Sequence, residues 1–313
     1  MDLWNRMTSD FGLPFTSLEI IYGLVACILS VLIGTVLAKK QARAFSTPKH
    51  KTTSTTAPHQ EDLPTVTFVD YGDMRFLHLG TPSVQGSMKL SKPFDIHLEY
   101  VQRMMGWLLF TDLNNVQNLH AMQLGLGAAS LTKFCHHHLD MQTTAIELNP
   151  QVITTCRQWF HLPPDDSKLQ VTIGDAAEAV TQPQWFDKVD ALQIDLYDQE
   201  ADRPVHDSEA FYANCRQLLT PHGCLVVNLF GRHMHFKQSM DKLAQSFGKD
   251  ALWAFKPTPA GNTIVLAFRT PRTPDKQALR LQAQAIEERW PLPATKWLKS
   301  LAPYPMASSS ASM

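Results

Sequence analysis

The stretch QIDLYDQEA, residues 193–201, leaves an apolar run and enters a cluster of acids. Asp195 and Asp198 stand three positions apart, with Glu200 and Asp202 close behind. Carboxylates gathered at a strand end can attract a cationic amine, take its proton, hold a metal, or cap the next helix. Other residues narrow the choice. Gly125 and Gly127 lie in LGLGAAS, where a strand pattern gives way to a helical one. Glycines there let the backbone turn tightly and approach a ligand closely. Glu147 ends the next apolar run, and an acid about twenty residues beyond a glycine turn can accept two hydrogen bonds from ribose hydroxyls. Asp175, in IGDAAEAV, follows the third apolar run. It can accept from an adenine amino group while Ala176 offers its backbone NH to the ring, and it can equally cap a short helix. Together these residues predict a nucleoside site whose reactive end lies near Asp195 and Asp198, carboxylates suited to binding an ammonium and freeing its amine.

The elements that must position them form a repeating alternation. Strand patterns occupy 120–126, 143–148, 169–173, 189–194 and 223–230. Helix patterns occupy 129–139, 150–160, a short stretch after Asp175, 207–219 and 233–247. This order implies a doubly wound parallel sheet. Two further strands, 252–256 and 262–268, are joined by PTPAG, too short for a helical crossover, and must run antiparallel. A mostly parallel sheet with an antiparallel last strand is the class I methyltransferase-like arrangement. In open parallel sheets ligands bind beyond the carboxyl ends of the strands, which places Gly125, Glu147, Asp175, Asp195 and Asp198 at one crevice. Ahead of this lie two short strands, TVTFVDY and MRFLHLG, with a turn at Gly72-Asp73, and a helix over 94–110. A surface helix is predicted over 274–289, and ASSSASM closes the chain as a disordered tail.

The 313 residues carry a formal net charge of −1, which argues against nucleic acid as a partner. Five cysteines, none in a CxxC pair, suit reduced and mostly buried thiols. His136, His137 and His138 are consecutive within a helix, so their side chains diverge and read as structural or solvated rather than metal-binding. Residues 18–38 are almost wholly apolar, and a helix of that length spans about 30 Å, a bilayer core. Lys39, Lys40 and Arg43 follow at once, so the positive-inside rule predicts a single-pass anchor in the inner membrane with the main body in the cytoplasm. The alternatives are a signal peptide cleaved after Ala38 and a cytoplasmic protein. The expected organisation is an anchor segment over 1–43, a flexible linker over 44–63, a small β segment plus helix over 64–110, the nucleoside-binding domain over 111–270, and a C-terminal helix and tail over 271–313.

From about residue 64 to 270 the chain resembles the spermidine synthase (polyamine aminopropyltransferase) family, in its bacterial spermidine-synthase-like branch. The motifs that carry the resemblance are VQGSMKLSKPFDIHLEYVQRMMG, MQLGLGAASLTKF, TAIELNPQVI, VTIGDAAEAV, QIDLYD and FYANCRQLLTPHGCLVVNLF. The resemblance implies transfer of an aminopropyl group from decarboxylated S-adenosylmethionine, a co-substrate rather than a resident cofactor, to a small amine or polyamine. By motif, Glu147 would hold the ribose and Asp175 the adenine, Asp195 would accept the proton, and Asp198, Gln85 and Tyr100 would lie on the amine side. It also implies a homodimer. The chain departs from the family pattern at three places. Gly127 stands where the family's glycine loop has an aspartate, Val101 replaces the histidine of a Tyr-His pair, and Gln199 replaces a proline in DLYDQ. These departures leave open an S-adenosylmethionine-dependent methyltransferase and a non-catalytic nucleoside- or polyamine-binding protein.

Overall fold

A computed structural model describes residues 63–197, 204–230 and 233–304. The predicted anchor at 18–38, the linker up to residue 62, Cys27, the acids Asp198, Glu200 and Asp202, and the predicted disordered tail lie outside the described residues.

Strands β1 (Val66–Tyr71), β2 (Met74–Leu79) and β3 (Val84–Lys89) form a small antiparallel sheet in that order. Gly72, at φ +57°, makes the expected turn between the first two. The third strand was not anticipated, because VQGSMK lacks the β-branched alternation of a strand. Tertiary packing makes it one: Gly86, Ser87 and Met88 are buried, and the strand lies against the chain at Ala128.

The main sheet contains β4 (His120–Leu124), β5 (Gln142–Glu147), β6 (Leu169–Ile173), β7 (Val189–Ile194), β8 (Leu219–Phe230), β9 (Leu252–Phe255), β10 (Asn262–Phe268) and β11 (Leu301–Pro303). Among the described residues its order is β11-β9-β10-β8-β7-β4-β5-β6. The pairings from β8 through β7, β4 and β5 to β6 are parallel. The short PTPAG link turns β10 back between β8 and β9, antiparallel to both. This is the expected methyltransferase-like sheet. The short antiparallel edge strand β11, paired to β9, carries no pattern of its own.

Helix α1 (Glu99–Met104) runs into a 3-10 segment, Met105–Phe110, rather than forming one helix over 94–110. Met104, Met105, Trp107 and Leu108 are at most 1 % exposed, and a segment buried on every side gives no periodicity from which helix type can be read. The other helices are α2 (Ser130–His137), α3 (Pro150–Trp159), α4 (Ala176–Ala179), α5 (Glu209–Leu218), α6 (His233–Phe247), α7 (Lys276–Arg289) and α8 (Ala294–Trp297). Asn149, Asp175, Ser208 and Asp275 cap α3, α4, α5 and α7 through their side-chain oxygens. One core joins α1, α2 and α7 to one side of the sheet around Trp107, Phe134 and Ile286. A second, around Tyr212, Leu218 and Leu243, joins α5 and α6 to it. A third, around Met88, Val152 and Phe160, lies under the small sheet. Cys135, Cys156, Cys215 and Cys224 are buried and reduced. Among the described residues no helix is long and apolar enough to cross a membrane.

Candidate functional site

The carboxyl ends of β4, β5, β6 and β7 open into a cleft of about 580 Å³, a volume suited to a small organic ligand. Its floor is the glycine loop. Gly125 has φ +83°, and a Cβ there would stand 2.7 Å from the carbonyl oxygen of Asp195. Only glycine lets the ends of β4 and β7 approach so closely. Gly127, at φ +52°, lies under the carbonyl of Gln85, which would be 3.2 Å from an added Cβ. The small sheet thereby caps the loop and brings Gln85 to the cleft.

Glu147, at the end of β5, is locked to that loop. Its Oε2 accepts from the Leu126 NH at 2.8 Å, and its Oε1 accepts from the Asn149 NH at 2.8 Å. Burial raises its pKa, and the backbone donors oppose the rise. Each oxygen keeps further lone-pair capacity, as binding a ribose diol requires. Asp175 caps α4, its Oδ1 accepting from Ala177 at 2.6 Å and from Glu178 at 3.3 Å. The capping role predicted as an alternative is therefore present. Its Oδ2 accepts no hydrogen bond among the described residues, and Asp175 and Ala176 both line the cleft. His206 Nε2 stands 3.8 Å from Asp175 Oδ1. Leu148 and Val205, exposed by 37 % and 53 %, also line the cleft and offer apolar surface to a flat ring.

Asp195 follows β7 and sits among uncharged partners. Its Oδ1 accepts from Asn228 Nδ2 at 2.9 Å, and Tyr100 faces the same carboxylate. Burial raises the Asp195 pKa above 3.8, and Asn228 and Tyr100 oppose the rise. Tyr100 is pushed well above its ordinary value, first by burial and then by the Asp195 charge, so it remains protonated. The Tyr197 hydroxyl donates to the Asn228 carbonyl at 2.9 Å and accepts from the Phe230 NH, pinning the chain after Asp195 to the end of β8. Where the chain is again described, Asp207 receives Tyr212 Oη at 2.9 Å, Ser239 Oγ at 3.0 Å and Lys242 Nζ at 2.7 Å. That knot ties the segment carrying Val205 and His206 to α5 and α6.

The structure thus gathers Gln85, Tyr100, Gly125, Gly127, Glu147, Asp175, Ala176 and Asp195 around one cleft. Asn228, Asn262, Tyr197 and His206 line it as well and were not singled out from the sequence. For the two asparagines the one signal is a buried-strand pattern interrupted by an amide, in LVVNLF and NTIVLAF. Of the three histidines, His136 turns to Asp166, whereas His137, stacked on Phe94, and His138, bonded to Asp95, meet edge to face at 5.0 Å. Among the described residues no group of His, Cys, Asp and Glu could hold a metal ion.

Three comparisons bear on this arrangement. The sequence profile of the spermine/spermidine synthase domain matches residues 125–272. A polyamine aminopropyltransferase from Chromobacterium violaceum is 31% identical over 237 residues, covering 75% of this chain and 88% of that protein. Among solved structures, a probable spermidine synthase from Corynebacterium glutamicum aligns with a TM-score of 0.60 at 17% identity, over 71% of this chain and 84% of the other. Human methyltransferase-like protein 13 in complex with SAH aligns at 0.56 and 22% identity, over 62% and 92%. The two structures establish a shared methyltransferase-like fold. The match in sequence goes further: with its glycine loop, Glu147 and Asp195 inside or bordering the aligned core, this chain belongs to the spermine/spermidine synthase family.

Proposed function

We propose that the protein transfers an aminopropyl group from decarboxylated S-adenosylmethionine to a small amine. The observation that carries this reading is Asp195, a carboxylate held by Asn228 and faced by Tyr100 on the cleft that Glu147 and the glycine loop share. The name of its relative, a polyamine aminopropyltransferase, supports it. Glu147 holds the ribose and Asp175 with Ala176 meets the adenine. Gln85, Tyr100 and Asp198 serve the amine side. The acceptor nitrogen attacks the methylene beside the sulfonium. As the C–N bond forms, the C–S bond breaks and its electron pair returns to sulfur, giving the neutral thioether methylthioadenosine. Asp195 takes the proton lost by the nitrogen.

A specific observation favours a second reading. Gly127 leaves the loop without the acid that meets the donor's amine in the family pattern, so ordinary S-adenosylmethionine and methyl transfer are the alternative. Product analysis by mass spectrometry separates the two. Methylthioadenosine formed only with the decarboxylated donor and an amine is the expected result, whereas S-adenosylhomocysteine would assign a methyltransferase. The Asp195→Asn variant is expected to lose turnover while still binding methylthioadenosine. Full activity in that variant would end the assignment.

Two further features belong to this proposal. The apolar run at 18–38 tethers the domain to the cytoplasmic face of the inner membrane, and release of the full-length protein by carbonate washing would refute the tether. The protein is a homodimer, a state that a monomer mass in analytical ultracentrifugation would exclude.

A further inference from the structure

Asp195 is the end of a line of buried amides. Asn228 on β8 is 3 % exposed and Asn262 at the start of β10 is 8 % exposed. Asn228 Nδ2 donates to Asp195 Oδ1 at 2.9 Å, and Asn262 Nδ2 donates to Asn228 Oδ1 at 3.2 Å. The Thr258 hydroxyl approaches Asn262 Oδ1 at 3.5 Å and accepts from the Asn262 backbone NH at 3.1 Å. The backbone NH of Thr258 closes the turn onto the Asn262 carbonyl at 2.8 Å.

The direction of this line is dictated at one end. An ionised carboxylate can only accept, so Asn228 must turn its NH2 toward Asp195 and its oxygen away. That oxygen can only accept, so Asn262 must turn its NH2 toward Asn228. A flipped Asn228 would set oxygen against oxygen at Asp195 and leave two buried groups unsatisfied. The hairpin between β9 and β10, through Thr258 and Asn262, supplies the donor that holds the amide beside Asp195 in this orientation. Asn262 also lines the cleft near Ala260 and Phe230, but its NH2 is committed to Asn228.

We infer that Asn262 is a positioning residue that acts through Asn228 to hold one oxygen of Asp195, leaving the other oxygen aimed at the acceptor nitrogen. This rests on Asp195 being the proton acceptor proposed above. Its physical content is a dependence: the contribution of Asn262 to turnover must vanish when Asn228 cannot relay it.

The test is a double-mutant cycle on the full-length protein with decarboxylated S-adenosylmethionine and an amine pool. Asn262→Ala is expected to lower kcat about tenfold, the scale of a misoriented catalytic group, with the donor KM unchanged. In the Asn228→Ala background the same change is expected to alter kcat less than about twofold. A full tenfold loss in both backgrounds, or a rise in donor KM with kcat intact, would overturn the inference. Asn262→Leu, of similar volume, supplies the same comparison if the alanine variant fails to fold. A second readout does not depend on turnover. In protein labelled with 15N-asparagine, the side-chain NH2 resonances of Asn228, identified by their loss in Asn228→Ala, are expected to shift in Asn262→Leu. Unmoved resonances would overturn the relay. Moved resonances in a protein that makes no methylthioadenosine would uphold the relay and end the proton-acceptor reading instead.

Discussion

Burial makes Asp195 a stronger base than an exposed carboxylate, and Asn228 and Tyr100 oppose the rise. Among the described residues, the groups that face it are Tyr100 from α1, Asn228 from β8 and nearby Tyr197, all uncharged near neutrality. Turnover by the unprotonated form falls as pH drops through the folded-state pKa, which is raised above 3.8. The acid limb of kcat/KM is therefore expected above the ordinary carboxylate range, and Asn228→Ala, which removes a donor, should move it higher still. A limb at the ordinary value would show that another group limits the rate. Lys133 is another buried ionisable residue, 1 % exposed, its Nζ donating to the carbonyls of Pro93 at 2.8 Å and Phe160 at 2.6 Å with no carboxylate paired to it among the described residues. Burial lowers its pKa from 10.5 to about 8. Between those values the unfolded chain holds more protons than the folded one, so this group makes stability rise with pH across that window. Lys133→Met is expected to flatten that part of the pH dependence, as measured by urea unfolding at pH 8 and above. An unchanged slope would mean that the lysine is not desolvated.

At the scale of elements, the site depends on how β3 lies on the glycine loop. An added Cβ at Gly86 would stand 2.7 Å from both the Cβ and the backbone nitrogen of Ala128. A backbone neighbour cannot swing aside, so Gly86→Ala must push β3 away from the loop. The expected cost is about 1–3 kcal/mol of stability, typical of overpacking, together with weaker binding of methylthioadenosine. Denaturant unfolding and calorimetric titration would measure both, and wild-type values in each would show that the strand is not pressed against the loop. Helix α2 reinforces the same contact from behind. Lys133, His137 and His138 hold Pro93, Phe94 and Asp95, the segment that leads into α1 and so to Tyr100. The histidine run thus has a use: His137 and His138 meet edge to face over this segment, while His136 turns away to Asp166.

At the scale of the molecule, the family profile ends at residue 272, yet the fold does not. Leu279, Ala283 and Ile286 of α7, with Trp297 of α8, fill the same core as Trp107 and Phe255. The predicted surface helix exposes one face and buries the other, and β11 completes the edge of the sheet at β9. A chain ended at residue 271 is therefore expected to lose its cooperative unfolding transition, because large apolar side chains on α1, β9 and β10 lose their cover. A truncated protein with the unfolding midpoint of the whole would show that the C-terminal segment is dispensable.

The sequence by itself determined the succession of strands and helices along the chain, the antiparallel return of β10, and the cluster of Gly125, Glu147, Asp175 and Asp195. These follow from local patterns: alternating strand and helix signals, a link too short to cross over, and side chains at strand ends. Tertiary structure alone decided the rest. VQGSMK became a strand because the glycine loop received it, and 105–110 became a 3-10 segment because it is buried on every side. Asn228 and Asn262 joined the site because antiparallel pairing of β8 with β10 set two distant amides in line with Asp195. Periodicity reports which face a residue turns inward, but not which partner waits there, and hydrogen-bond partners more than thirty residues apart leave no mark on local spacing.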